Sequence, residues 1–159
     1  MSKYAELFKN MGGQKLSEVP EELVDPDAHP AAERTFTLLF VDDEENVLHA
    51  LSRIFIDENY TILTASSARK ALEILEREPV HLIVSDHRMP VMSGAELLKI
   101  VREKYPETIR IMLTGHADVN SIMGAVKEGA VYKFITKPWN DEDLRLTVSL
   151  ALQQYILTL

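Results

Sequence analysis

The sequence predicts an α/β protein built on a parallel sheet of five strands, and three observations carry that prediction. From Phe36 onward, apolar runs of strand length alternate with stretches whose apolar residues recur at helical spacing. Serines, prolines and glycines punctuate the pattern where helices should start and stop. Each helix between two strands returns the chain to the same end of the sheet, so consecutive strands lie parallel.

Thr37-Leu38-Leu39-Phe40-Val41 reads as the first strand, and a helix from about Glu45 to Asp57 follows, with Val47, Leu48, Leu51, Ile54 and Phe55 as its apolar residues. Thr61-Ile62-Leu63-Thr64 is the second strand. Ser66 or Ser67 caps a helix that carries Ala68, Ala71, Leu72 and Leu75 on one face and stops before Pro79. The third strand is His81-Leu82-Ile83-Val84, which delivers Ser85-Asp86 and a loop with Pro90 and Gly94. Ser93 caps a helix through about Lys104, with Leu97, Leu98 and Val101 inward. Ile109 to Leu113 is the fourth strand, Val119 to Lys127 a helix with Gly129 as its C-cap, and Tyr132 to Thr136 the fifth strand. A last helix starts near Asn140 and runs to the end of the chain. No internal repeat interrupts this alternation.

Residues 1–35 are polar and broken by Pro20, Pro26, Pro30 and Gly12-Gly13, which reads as a mostly flexible extension. Its other reading is an arm that docks on the domain or on a partner. Composition narrows the function classes. A net charge of -8 and the lack of a clustered Lys/Arg surface argue against direct nucleic-acid binding. The absence of cysteine excludes disulfides and thiolate metal sites, and the histidines lack metal-ligand spacing. No apolar run approaches the ~18 residues of a membrane span. These features describe a soluble, cytoplasmic protein with no membrane partner.

Right-handed crossovers place the C-terminal ends of all the strands on one rim. Asp42-Asp43, Asp86, Thr114-Gly115 and Lys137-Pro138, far apart in sequence, therefore become neighbours. Carboxylates converging on one rim repel one another unless they share protons or hold a cation. Oxygen donors without a soft ligand point to a hard ion, and a site that also admits phosphate suits Mg²⁺. Asp42, Asp43 and Asp86 would supply carboxylates, Asp43 and Asp86 directly, with waters and a loop carbonyl near Arg88. Lys137 can neutralise a phosphoryl oxygen and the Thr114 hydroxyl can donate to another. No Gly-rich nucleotide loop is present, so a phosphoryl group would arrive on another molecule and land on the Asp86 carboxylate.

Through the acidic pair Asp42-Asp43, Asp86 followed by Met89-Pro90 and Gly94, then Thr114 and Lys137-Pro138, the stretch from Thr35 to about Leu152 resembles the receiver domain of two-component response regulators, the CheY-like family. The resemblance implies a doubly wound, flavodoxin-like sheet of order 2-1-3-4-5 with five helices. It also implies Mg²⁺-dependent phosphorylation of Asp86 by a sensor histidine kinase or phosphotransfer protein, and a cis peptide before Pro138. Output would pass through the switch pair Thr114 and Phe134 to the face formed by helix four, strand five and helix five, a docking or dimerisation surface. Such a protein is a signalling switch rather than a turnover enzyme. Arg88 and His116, each two residues past a site position, are expected to tune the lifetime of the phosphoryl group.

Two other functions stand beside this one. A phosphatase of the haloacid-dehalogenase kind also uses Asp, Thr, Lys and Mg²⁺, but its first strand ends Asp-x-Asp, whereas this one ends Asp42-Asp43-Glu44. A phosphorylation-independent interaction module is the third reading. Taken singly, Asp42-Asp43 could merely start a helix, Phe134 and Trp139 could be packing residues, and His87 and His116 solvated or hydrogen-bonded side chains. Leu144, Val148, Ala151 and Tyr155 repeat at a 4-3-4 spacing, which reads as a signalling helix or a dimer seam more than as packing on the domain itself. The expected division is thus an extension at 1–35, a receiver at 36–152, and at 153–159 a continuation of the last helix toward an output domain. Short strings around Asp86, Thr114 and Lys137 are similar to receivers joined to cyclic-di-GMP phosphodiesterase or transcriptional-activator outputs.

Overall fold

The structure is a computed structural model that describes residues 35–157; the expectations for residues 1–34 and for the last two residues lie outside that range. Five strands, β1 (Phe36–Val41), β2 (Tyr60–Ala65), β3 (Leu82–Asp86), β4 (Ile109–Gly115) and β5 (Lys133–Lys137), form one parallel sheet in the order β2-β1-β3-β4-β5. The helices are α1 (Glu45–Ile54), α2 (Ala68–Arg77), α3 (Gly94–Lys104), α4 (Val119–Lys127) and α5 (Asp141–Leu157). This is the doubly wound arrangement expected from the sequence.

Because both faces of the sheet are covered, the central strands read as continuous apolar runs rather than alternating ones. Leu38, Phe40, Leu82, Val84, Ile111 and Leu113 face one way, onto α1 and α5. Leu39, Val41, Ile83 and Met112 face the other, onto α2, α3 and α4. Helix ends follow the sequence signals. Ser67 accepts from the Lys70 N–H, Ser93 and Glu96 form a capping box, and Asn140 Oδ1 accepts from the Asp143 N–H at 3.0 Å. Gly129, at φ 81°, closes α4: its N–H donates to Val126 O and that of Ala130 to Ala125 O, a Schellman arrangement that needs the left-handed glycine.

Several boundaries differ from expectation, and backbone pairing explains them. β3 and β4 extend through Asp86 and Gly115, because polar rim residues still pair across the ladder, Asp86 with Leu113 and Gly115 with Lys137. α1 stops at Ile54, three residues early. There Phe55 and Ile56 turn back onto the carbonyls of Ser52 and Arg53, and the buried Phe55 ring packs against Phe40 and Tyr60. The 4-3-4 stripe of α5 is not a free seam. Leu144, Val148 and Ala151 are buried in the domain's own core, and the Tyr155 ring stands edge-on to Phe36 and His81. The spacing had signalled packing against the sheet, and the outward face of α5 carries Leu146 and Leu150 instead.

Candidate functional site

The sheet order reverses between β1 and β3, where the crevice of a doubly wound sheet opens. Asp42, just past β1, and Asp86, the last residue of β3, flank that point, and both are buried. Asp43 is exposed beside them. Carboxylate oxygens of Asp42, Asp43 and Asp86 lie within 4.8 Å of one another, close enough to hold a metal ion with oxygen ligands alone. Lys137 reaches the same place from the end of β5. Its Nζ stands 2.9 Å from Asp86 Oδ1 and 3.2 Å from Asp42 Oδ2. The Lys137–Pro138 peptide is cis, as the resemblance implies.

The electrostatics follow from this crowding. Burial, then the charges of Asp42 and Asp43, push the Asp86 carboxyl above its ordinary value, and Lys137 only partly offsets them. For Lys137, burial works against the ammonium, but Asp86 and Asp42 outweigh it and hold the group above the ordinary lysine value. A cation among the three acids would relieve the same repulsion. Asp42 also has a structural duty, since its Oδ1 accepts the Glu44 N–H at the start of α1. The helix-start reading therefore applies to Asp42 through Oδ1, while its Oδ2 faces Lys137.

The loop after β3 is held close. Gly94 donates to the His87 carbonyl at 2.8 Å, and a Cβ at Gly94 would overlap the Asp86 carbonyl oxygen, so only glycine fits there. Val91 sits at φ 71° and is fully exposed at the loop tip. Thr114 is buried at the end of β4 opposite Thr136, with a long 3.4 Å bond to the Gly115 carbonyl. Phe134 pairs with Met112 and is half-buried against the core under α4, on the same side of the sheet as Thr114 by the alternation of the pleat. Trp139 packs on the core at the start of α5 and donates to Asp141.

The Arg88 guanidinium forks onto Asp118, Nε to Oδ2 at 2.7 Å and Nη2 to Oδ1 at 2.6 Å, a partner that the sequence did not disclose. That fork holds the Asp118 carboxyl below the usual carboxylate range, although burial pulls the other way. His87 is neither solvated nor hydrogen-bonded through Nδ1, which is buried and unpartnered. His116 is exposed on the 3-10 turn His116–Asp118 that leads from β4 into α4. Sequence reasoning missed Asp118. The one signal was an acid four residues past Thr114, and its partner lies thirty residues away in another loop.

The model of the response regulator receiver domain matches residues 38–149. The chain belongs to that family. This receiver is 42% identical over 122 residues to the hydrogenase transcriptional regulatory protein HoxA of Cupriavidus necator, covering 77% of this chain and 25% of that protein. It is 35% identical to the transcriptional regulatory protein GlrR of Escherichia coli, covering 74% and 26%. Among solved structures, the signal receiver domain of an HD domain-containing protein from Pseudomonas fluorescens Pf-5 superposes with a TM-score of 0.73 at 36% identity, covering 77% of this chain and 98% of that one. A protein from Neptuniibacter caesariensis gives 0.75 at 37%, covering 77% and 91%.

The receiver thus has a signalling role in a two-component system, and the phosphatase reading is not favoured. It spans about a quarter of the curated relatives it matches. One of those, at 30% identity, is the DNA-binding transcriptional regulator NtrC of Proteus hauseri. The expected exclusion of nucleic acid is corrected accordingly: composition speaks only for these residues, not for a longer protein that contains a receiver. No helix among the described residues is long and apolar enough to cross a membrane.

Proposed function

We propose that the receiver accepts a phosphoryl group on Asp86 from a phosphohistidine of a sensor kinase or phosphotransfer protein. The observation that carries this is the Lys137 ammonium bridging Asp86 and Asp42 inside a cluster of three acids. Asp42, Asp43 and Asp86 would hold Mg²⁺ with the Arg88 backbone carbonyl, and the ion would supply positive charge to the transferring group. An Asp86 carboxylate oxygen bonds to phosphorus as the P–N bond to the donor imidazole breaks, and that nitrogen keeps the electron pair. Lys137 and the Thr114 hydroxyl bind the phosphoryl oxygens, Lys137 by exchanging one carboxylate contact for a phosphoryl one.

Turning toward the new oxygens, Thr114 leaves space on the side where Phe134 lies half-buried, and the ring moves inward. The consequence is a changed surface on α4, β5 and α5, which serves as the docking or dimerisation face. The outward Leu146, Leu150 and Tyr132 give that face its apolar content. Residues 36–152 form the receiver proper, residues 1–35 an extension, and the end of α5 leads toward an output module in the cytoplasm. Similarity to HoxA and GlrR favours a transcriptional output, through which a longer protein would contact DNA.

Intact mass after acetyl phosphate with Mg²⁺, and sizing chromatography with beryllofluoride, test the reading. Wild type should gain one phosphoryl mass and change its elution, whereas Asp86→Asn should do neither. A wild type without adduct refutes it.

A further inference from the structure

Arg88 and Asp118 form the one bidentate ion pair that links the acceptor loop to the turn before α4 among the described residues. Arg88 follows Asp86 by two residues, so their Cα atoms are at most about 7 Å apart, and its extended side chain can reach a group attached to Asp86. Its side chain is mostly exposed, and among the described residues Asp118 is the partner that holds its guanidinium. Asp118 closes the 3-10 turn four residues past Thr114 and makes no side-chain cap for α4, so its carboxylate is committed to Arg88.

A planar fork that fits a carboxylate also fits a phosphoryl group, and the latter carries the larger negative charge. Building on the assignment of Asp86 as acceptor, we propose that Arg88 is a phosphoryl ligand held in reserve by Asp118, and that phosphorylation transfers its fork from Asp118 to the phosphoryl oxygens. Asp118 is then a positioning residue: it competes for Arg88 in the resting state. The exchange frees the turn His116–Asp118 at the moment Thr114 moves, so α4 loses its tie to the acceptor loop.

The competition makes a signed prediction that a merely structural ion pair does not. Binding of beryllofluoride with saturating Mg²⁺ is measured by calorimetry on the full chain, for wild type, Arg88→Ala, Arg88→Lys, Asp118→Asn and the double variant Arg88→Ala/Asp118→Asn. Removing the competitor should tighten binding about fivefold in Asp118→Asn, and removing the ligand should weaken it about tenfold in Arg88→Ala, the scale of one exposed charge-assisted contact. Arg88→Lys should recover part of the loss, and Asp118→Asn should have no effect once Arg88 is alanine. If the pair only braces the loops, both single variants break the same brace and shift affinity in the same direction; that result overturns the proposal. Equal affinities in all variants overturn it as well. Failure of wild type to bind beryllofluoride would instead refute the acceptor assignment, and this proposal with it. Should Asp118→Asn fold poorly, Asp118→Ala in the same titration decides the sign.

Discussion

At the N-terminal ends of the strands, the Arg110 guanidinium donates to the carbonyls of Ala130 at 2.9 Å, Thr108 at 2.8 Å, and Gly129 and Pro106 at 3.2 Å. The Thr108 hydroxyl donates to Val80 O, and His81 Nδ1 accepts the Thr37 N–H. At the C-terminal ends, Asp42, Asp43 and Asp86 crowd together, and a single lysine answers two of them. The first rim uses polar side chains to satisfy backbone groups that loops and helix ends leave open, which stabilises the fold. The second aims charges at one another and leaves Asp86 poorly solvated. A rim whose groups are closed on themselves has nothing left to bind with, whereas one with unbalanced charge is poised for a ligand that supplies the missing positive charge and accepts the negative.

The largest expected contrast separates these rims outright. Asp86→Asn should abolish the acyl phosphate completely, seen as loss of the phosphoryl mass, while Arg110→Met should leave its formation within about twofold of wild type. A phosphorylation defect of tenfold or more in Arg110→Met would mean that the rims are coupled.

Next in size is the response to a divalent cation. A ligand that binds only the folded state stabilises it by about 2.7 kcal/mol at a hundredfold excess over its Kd. Mg²⁺ should therefore raise the thermal midpoint of wild type by several degrees, and this gain should fall sharply in Asp43→Asn. Arg110→Met should keep the full gain from a lower starting point. Its own loss should be about 2 kcal/mol by denaturant unfolding, because burial leaves the Ala130 and Thr108 carbonyls without their donor. An Arg110→Met protein as stable as wild type would show that water replaces the guanidinium there.

The same contrast sets what the sequence disclosed. Strand and helix alternation, caps and rim positions were legible because each rests on local periodicity or on the rule that parallel strands end on one side. The acids, Thr114 and Lys137 could be brought together on that basis alone. The Arg88–Asp118 fork and the Arg110 clamp were not legible, since each joins segments whose relative placement depends on loop paths that periodicity leaves open. Leu144, Val148, Ala151 and Tyr155 misled for a related reason. A 4-3-4 stripe is the same whether a partner helix or the chain's own sheet covers it, and here the sheet covers it, β4 along the helix and Phe36 of β1 at Tyr155.

The smallest effect has the most informative sign. The folded-state carboxyl of Asp86 titrates above its ordinary value of 3.8, so the folded protein holds that proton more tightly than the unfolded chain. Its contribution to stability therefore turns unfavourable as pH rises through the ordinary value, and the full penalty is present above the raised one. Without metal, Asp86→Asn should be more stable than wild type at pH 7 by about 1 kcal/mol, the scale of removing one poorly solvated charge that keeps a lysine partner. This advantage should shrink on acidification and vanish once pH falls below the ordinary carboxylate value, where both proteins carry a neutral group. Lys137 runs opposite: its raised value makes its contribution full below the ordinary lysine value of 10.5 and lost as pH climbs through the folded one. Denaturant midpoints at pH 3, 5 and 7 measure the difference directly. If Asp86→Asn is instead less stable at pH 7, the bridge from Lys137 outweighs the crowding, and the resting acceptor site is a stabilising element like the opposite rim.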